Sequence, residues 1–199
     1  FFSFDDWFIG STKVPRGITE ETKRLTKKFH YNNILSLKKQ IKRFKGKVAC
    51  VVLEPSSTEC PKINKNDSSC CNLAKCNRNF KKENHFLKQV ESICKKNKIV
   101  FILDEMITGF RWHINGAQNF YGVKPDISTF GKAMANGFSV SAICGKKKIM
   151  ELGSITNINE ERVFLLSTTH GAEMNGLAAF IETLKFLKKN NVINHNWKY

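Results

Sequence analysis

Two short apolar runs that each lead directly into a polar residue constrain the fold of this chain most. Ile99–Leu103 leads into Asp104, and Asp126–Phe130 leads through a glycine into Lys132. The first run is continuously apolar, which is typical of a buried strand in a parallel sheet, and the second is a short strand-like run. In open α/β sheets, ligands bind beyond the carboxyl ends of such strands. The sequence therefore predicts that the acid and the lysine face one pocket.

A strand–helix–strand order predicts the α/β class, with a mostly parallel sheet and flanking helices. Val48–Leu53 is apolar and rich in β-branched residues, Glu83–Lys96 has its apolar residues on one helical face, and Ile99–Leu103 follows. Parallel strands need a crossover connection, which is usually a helix. Further helices are predicted over Asn33–Phe44 (ended by Gly46), Lys146–Leu152 and Leu177–Leu187. Further strands are predicted over Val140–Cys144 and Val163–Ser167. Ser11–Thr26 is expected to be an exposed loop and Thr108–Tyr121 to be irregular.

The polar stretch Ser56–Lys82 interrupts this pattern, and we predict that it is a surface insertion. It contains four cysteines without a C-x-x-C spacing, which disfavours a zinc site. The other three, Cys50, Cys94 and Cys144, are expected to be small buried apolar residues. Cysteine use of this kind favours a reduced, intracellular protein, and we expect a cytoplasmic location.

The chain of 199 residues has a net charge of +16 and shows no clear boundary between two domains. Its lysines are spread out, and no segment concentrates arginine with aromatic residues, so we expect a solvated basic surface and no nucleic-acid partner. No apolar run reaches the roughly 18 residues that a membrane span needs, so no membrane partner is expected. The chain starts at Phe1 rather than at methionine, which suggests a piece of a longer protein.

Asp104 and Lys132 each allow a functional and a plain interpretation. A carboxylate beside a pyridinium nitrogen would keep that nitrogen protonated, but an acid at a strand end can also cap a helix or form a surface ion pair. A lysine that forms a Schiff base needs a sheltered pocket in which its amine can lose its proton, whereas most lysines are simply solvated. Lys132 has the most restrictive context of the chain's lysines, because it follows a strand and precedes small residues.

The segment from Thr168 to Gly171 precedes the last predicted long helix. Its hydroxyl groups and free backbone N–H groups could bind an anion such as a phosphate. A capping cluster for the helix is the alternative, and the sequence alone favours capping.

Three motifs, LDEMITGFR from Leu103, GVKPDISTFGKAMANG from Gly122 and STTHGAE from Ser167, resemble the class III pyridoxal-phosphate-dependent aminotransferases. The match is closest to the branch of the glutamate-1-semialdehyde 2,1-aminomutases. DDWFIGST, FHYNN and VVLEP extend the resemblance upstream, so that it covers nearly all of the chain except Ser56–Lys82.

This resemblance implies a partial large domain over residues 1–199, with fold type I of the pyridoxal 5′-phosphate (PLP)-dependent transferases, as in aspartate aminotransferase. It implies that Lys132 forms the internal aldimine with PLP, that Asp104 pairs with the pyridine nitrogen, and that Met106 packs on the ring. Thr169 would reach the phosphate from the neighbouring subunit of a homodimer. Phe1 stands where the family has a stacking tyrosine, and it lacks the hydroxyl group.

The resemblance also implies the activity, which is amino transfer between a small-molecule donor and acceptor by way of Lys132. Two alternatives stay open, an aminomutase that moves an amino group within one molecule and an inactive, truncated or degenerate copy. Because the family's N-terminal portion and its small C-terminal domain have no counterpart here, residues 1–199 alone are expected to have weak or no activity.

Overall fold

The computed structural model describes residues 6–56, 59–64, 79–156, 161 and 173–198. The chain divides into two compact units, Phe1–Val48 and Ala49–Tyr199. The assignment of residues 1–199 to one partial domain stays a prediction.

The first unit contains three helices, α1 (Asp6–Ile9), α2 (Glu20–Leu25) and α3 (Ile34–Arg43). The prediction of an exposed loop over Ser11–Thr26 was wrong at α2. That helix forms because the Thr19 hydroxyl accepts a hydrogen bond from the Thr22 amide at 3.4 Å, and because two acidic residues occupy its first turn.

Helix α3 confirms the predicted helix, with a corrected end. The Asn33 side chain caps its first turn by accepting from the Ser36 amide at 3.1 Å. The helix ends at Arg43, with Phe44 as its C-cap residue. Gly46, which was predicted to end the helix, lies in the following turn with a φ of +74°.

The second unit is built on a four-stranded sheet in the order β1 (Cys50–Leu53), β2 (Val100–Asp104), β3 (Ile127–Phe130) and β4 (Ala142–Gly145). The first three strands are parallel, and β4 pairs antiparallel with β3. The predicted mostly parallel sheet is therefore confirmed.

Helix α4 (Phe86–Asn97) precedes β2 and buries Phe86, Leu87, Val90 and Cys94. This face and the buried Phe101 and Leu103 of β2 supply much of the core. The remaining helices are α5 (Ala117–Tyr121), α6 (Lys147–Met150), α7 (Met174–Lys189) and α8 (Val192–Asn196), with 3-10 turns at Phe80–Lys82, Lys132–Met134 and Glu151–Gly153. No helix within the described ranges is long and apolar enough to cross a membrane.

The cysteine expectations were partly wrong. Cys94 is buried as predicted, but Cys50 and Cys144 are exposed because they lie on β1 and β4, the two outer strands of the described sheet. Most of the predicted insertion Ser56–Lys82 and the predicted strand Val163–Ser167 lie outside the described residues.

Candidate functional site

Asp104 and Lys132 lie at the same edge of the sheet, as the sequence predicted. Asp104 is the last residue of β2. Lys132 follows the end of β3 after one glycine, and β2 and β3 are parallel neighbours. The carboxyl ends of parallel neighbours meet at one edge, which is where α/β sheets bind ligands.

The carboxylate of Asp104 is held by two hydrogen bonds on the same oxygen. Oδ1 accepts from the Met106 amide at 3.0 Å and from the Thr129 hydroxyl at 3.0 Å. Thr129 is the residue directly opposite Asp104 in the β2–β3 register. Neither bond caps a helix, and neither is an ion pair. Both therefore differ from the two non-functional interpretations of Asp104.

Lys132 has an unusual backbone conformation. Its φ is +43°, in the left-handed region, although it is not a glycine. Such a conformation is strained, and strained residues cluster at binding and active sites. The sequence predicted a sheltered amine, whereas the side chain is exposed within the part of the chain that the structure describes.

The exposed side chain of Lys132 lines a cavity of about 1430 Å³ beside α7 and α8. Two other non-glycine residues with positive φ, Phe110 (+61°) and Asn136 (+47°), line the same cavity. One wall is fixed by Trp197, whose indole N–H donates to the Arg111 carbonyl at 2.7 Å. The cavity gives the lysine room for a ligand of small-molecule size.

Met106 packs against the glycine that separates β3 from Lys132. A Cβ atom on Gly131 would lie 2.9 Å from Met106 Sδ and still closer to Cε, so no larger side chain fits there without a shift. The structure therefore brings Asp104, Met106 and Lys132 into one neighbourhood.

Glu105 is a residue of this neighbourhood that the sequence did not single out. It is fully buried, at 0% exposure, and its carboxylate accepts from the amides of Ala117 and Gln118 at the start of α5 and from the Thr108 hydroxyl. Burial raises the pKa of the Glu105 carboxyl, against those hydrogen bonds, which lower it. Glu105 thus ties the segment after Asp104 to α5.

The other predicted site residues, Phe1 and Thr169, lie outside the described residues, as does the whole Thr168–Gly171 segment. Their predicted roles stay predictions. Thr129 was missed as well. A polar residue in the apolar run before Lys132 was the available signal, but its partner depends on the strand register.

Comparison with known proteins identifies relatives of the chain. The family profile described as Aminotransferase class-III matches residues 78–198. The glutamate-1-semialdehyde 2,1-aminomutase of Methanococcus vannielii is 36% identical over 178 residues, which are 89% of this chain and 36% of that protein. The 3-aminobutyryl-CoA aminotransferase of Cloacimonas acidaminovorans is 28% identical over 199 residues, which are 97% of this chain and 41% of that protein.

Among solved structures, the FumI protein of a Sphingopyxis species, in its PLP internal aldimine form, superimposes with a TM-score of 0.67. It is 20% identical, and the match covers 93% of this chain and 38% of that one. This likeness and the family profile confirm the predicted type I transferase fold. The chain spans 36% of the length of the Methanococcus relative.

Proposed function

The chain belongs to the class III aminotransferase family, and from this premise we propose that it is the cofactor-binding region of a PLP-dependent enzyme that transfers an amino group. The observation that carries the proposal is the meeting of Asp104 and Lys132 at one edge of the sheet. A carboxylate at the end of one strand and an amine just beyond the end of its neighbour suit the two ends of a pyridoxal ring.

The residues present fit this cofactor. Asp104 Oδ1 already has two donors, and among the described residues none donates to Oδ2, so this oxygen is left to accept from a protonated pyridine nitrogen. The exposed side chain of Lys132 lines a cavity, and Met106, which packs against the preceding Gly131, supplies an apolar side chain next to the lysine. Bound PLP supplies an electron sink for the pair of electrons released when a bond at the substrate carbon breaks.

Each residue of this chain has a separate task. Asp104 would hold the pyridine nitrogen of the cofactor in its charged form, because a carboxylate favours a neighbouring positive charge. Lys132 Nζ would hold the cofactor at its aldehyde carbon and would move a proton at the substrate carbon. Met106 would pack on the ring less rigidly than a branched side chain.

An aminomutase is the second candidate, because the Methanococcus relative, at 36% identity, carries that name. The two candidates differ in stoichiometry. A transaminase releases one keto acid for each amino group that it takes up, whereas an aminomutase retains the amino group in one molecule. Assaying keto acid release against amino donor consumed separates them, and the absence of stoichiometric release would overturn the transaminase version.

An inactive, degenerate copy is the third candidate. Phe1 favours it, since a phenylalanine lacks the hydroxyl group of the expected tyrosine. The retained Asp104, Lys132 and Thr169 argue against it.

We also propose that the enzyme is a cytoplasmic homodimer in which Thr169 reaches the phosphate of the cofactor bound by the partner subunit. Cys50, Cys94 and Cys144 are free thiols, which supports a reducing compartment. Light scattering of the PLP-loaded protein tests the dimer. A monomer that binds PLP fully would overturn it.

The proposed function is tested by the visible spectrum of the longest natural polypeptide that contains residues 1–199. With added PLP we expect the absorption band of a covalently bound cofactor, and we expect Lys132→Ala to abolish it. The matched control is Lys124→Ala, which removes an exposed lysine outside the cavity lining. A band that survives Lys132→Ala, or that never appears in the parent, would contradict the proposal.

A further inference from the structure

We propose that Thr129 is a positioning residue that orients the Asp104 carboxylate for the cofactor, an inference that rests on the proposed function above. The Thr129 hydroxyl donates to Asp104 Oδ1 at 3.0 Å, from the strand next to the one that carries the acid. This contact joins two strands that are distant in sequence, so it is a product of the fold.

A backbone hydrogen bond also holds Thr129 in register with Asp104. The Thr129 carbonyl accepts from the Glu105 amide at 3.0 Å, directly after the acid. Threonine is also β-branched, so its χ1 torsion is restricted on a strand and its hydroxyl direction is well defined. The hydroxyl is therefore a rigid donor, and the carboxylate adapts to it.

The two donors on Oδ1 determine what the other carboxylate oxygen can do. The terminal torsion of an aspartate is broad and roughly two-fold, so an unrestrained carboxylate samples many orientations. The Met106 amide and the Thr129 hydroxyl both bind Oδ1. Oδ2 is then the oxygen left for the pyridine nitrogen, and removal of the hydroxyl frees the carboxylate to turn.

Two substitutions at this position separate the hydroxyl from the shape of the side chain. Thr129→Val keeps the branched shape and removes the donor. We expect the Kd for PLP to rise about tenfold, because one hydrogen bond to a charged group is lost. Thr129→Ser keeps the donor, and we expect a Kd within about threefold of the parent.

Ser128→Ala is the matched control on the same strand. Ser128 is buried, and its hydroxyl lies 3.4 Å from Gln118 Oε1, away from Asp104. Its removal also takes one hydroxyl from β3, and we expect no change in PLP affinity. If the loss of a hydroxyl merely loosened the strand, Ser128→Ala and Thr129→Val would both weaken PLP binding. If Thr129 positions Asp104, only Thr129→Val weakens it.

The decisive readout is the ¹⁵N NMR signal of the ring nitrogen in ¹⁵N-labelled PLP, bound to the longest natural polypeptide that contains this chain. We expect the signal of a protonated nitrogen in the parent, in Thr129→Ser and in Ser128→Ala, and a shift toward the unprotonated position in Thr129→Val. If Thr129→Val does not fold, Thr129→Ala is compared with Thr129→Ser, because these two small residues differ only in the hydroxyl.

The outcomes distinguish this inference from the proposed function. If the parent binds PLP through Lys132 but Thr129→Val (or its substitute, Thr129→Ala) has the parent's Kd and ¹⁵N signal, the role of Thr129 is overturned and the proposed function stands. If Ser128→Ala changes both quantities as strongly as Thr129→Val does, the effect is structural and the role is likewise overturned. If the parent binds no PLP, both are overturned.

Discussion

The substitution Glu105→Ala tests how the segment after Asp104 is held in place. The Glu105 side chain is fully buried and accepts three hydrogen bonds, from the amides of Ala117 and Gln118 and from the Thr108 hydroxyl. Alanine provides no acceptor, so it leaves these donors without their partner in the interior. An unsatisfied buried group costs about 1–3 kcal/mol, and the three together, lowered by any water that enters, amount to roughly 3–6 kcal/mol.

A loss of this size is a large part of the roughly 5–15 kcal/mol that stabilises an ordinary domain. The assay is urea unfolding followed by circular dichroism, with Glu21→Ala as the control. Glu21 is exposed on α2, and we expect its removal to change the free energy of unfolding by less than about 0.5 kcal/mol. A Glu105→Ala effect below about 1 kcal/mol at an unchanged m value would refute the argument, because the three contacts would then carry little energy.

Three further predictions concern the turn at Gly116, the Glu105 carboxyl and the activity of residues 1–199 alone. Gly116→Ala should lower the free energy of unfolding in the same urea assay by about 2 kcal/mol or more, because φ there is +82° and a Cβ would lie 2.6 Å from Glu105 Oε1; no effect would show that this turn relaxes freely. Burial raises the pKa of Glu105 above its ordinary value of 4.5, so the folded state holds that proton more tightly than the unfolded state does and stability falls as pH rises from about 4.5 through the folded pKa. Glu105→Gln removes this contribution, so across that window the free energy of unfolding of the variant should fall less, or rise more, with pH than that of the parent; identical slopes would contradict the raised pKa. Residues 1–199 alone should show weak or no transamination in a coupled keto acid assay, since the chain spans 36% of the length of its Methanococcus relative, and robust turnover would refute this.

The edge of the sheet could be predicted because it depends on local patterns. Short apolar runs identified β1, β2 and β3 to within about two residues, and the position of Asp104 and Lys132 at the ends of two runs followed directly. The strand–helix–strand order predicted that the strands pair in parallel. Parallel strands have their carboxyl ends at the same edge of the sheet.

The contacts that orient the site could not be predicted because they depend on register and on burial. Thr129 meets Asp104 only because the two residues are partners across β2 and β3, and a shift by one residue would turn the hydroxyl to the other face. Glu105 is as polar as Asp104 in the sequence, yet one is fully buried and the other is not.

The backbone strain at Lys132 and the exposure of Cys50 and Cys144 could not be predicted from sequence patterns either. The positive φ of Lys132 is imposed by the turn after β3, and lysine has no intrinsic preference for it. Cys50 and Cys144 lie in apolar runs of the sequence, yet both are exposed on the two outer strands of the described sheet.

The proposed covalent bond between Lys132 and PLP can be located by borohydride reduction of the PLP-loaded polypeptide, followed by proteolysis and tandem mass spectrometry, because reduction makes the bond to the cofactor permanent. We predict a single pyridoxyl adduct, on the peptide that contains Lys132, in preference to all other lysines of this Lys-rich chain. An adduct on a different lysine, or adducts spread evenly over surface lysines, would show that Lys132 is not the residue that binds the cofactor.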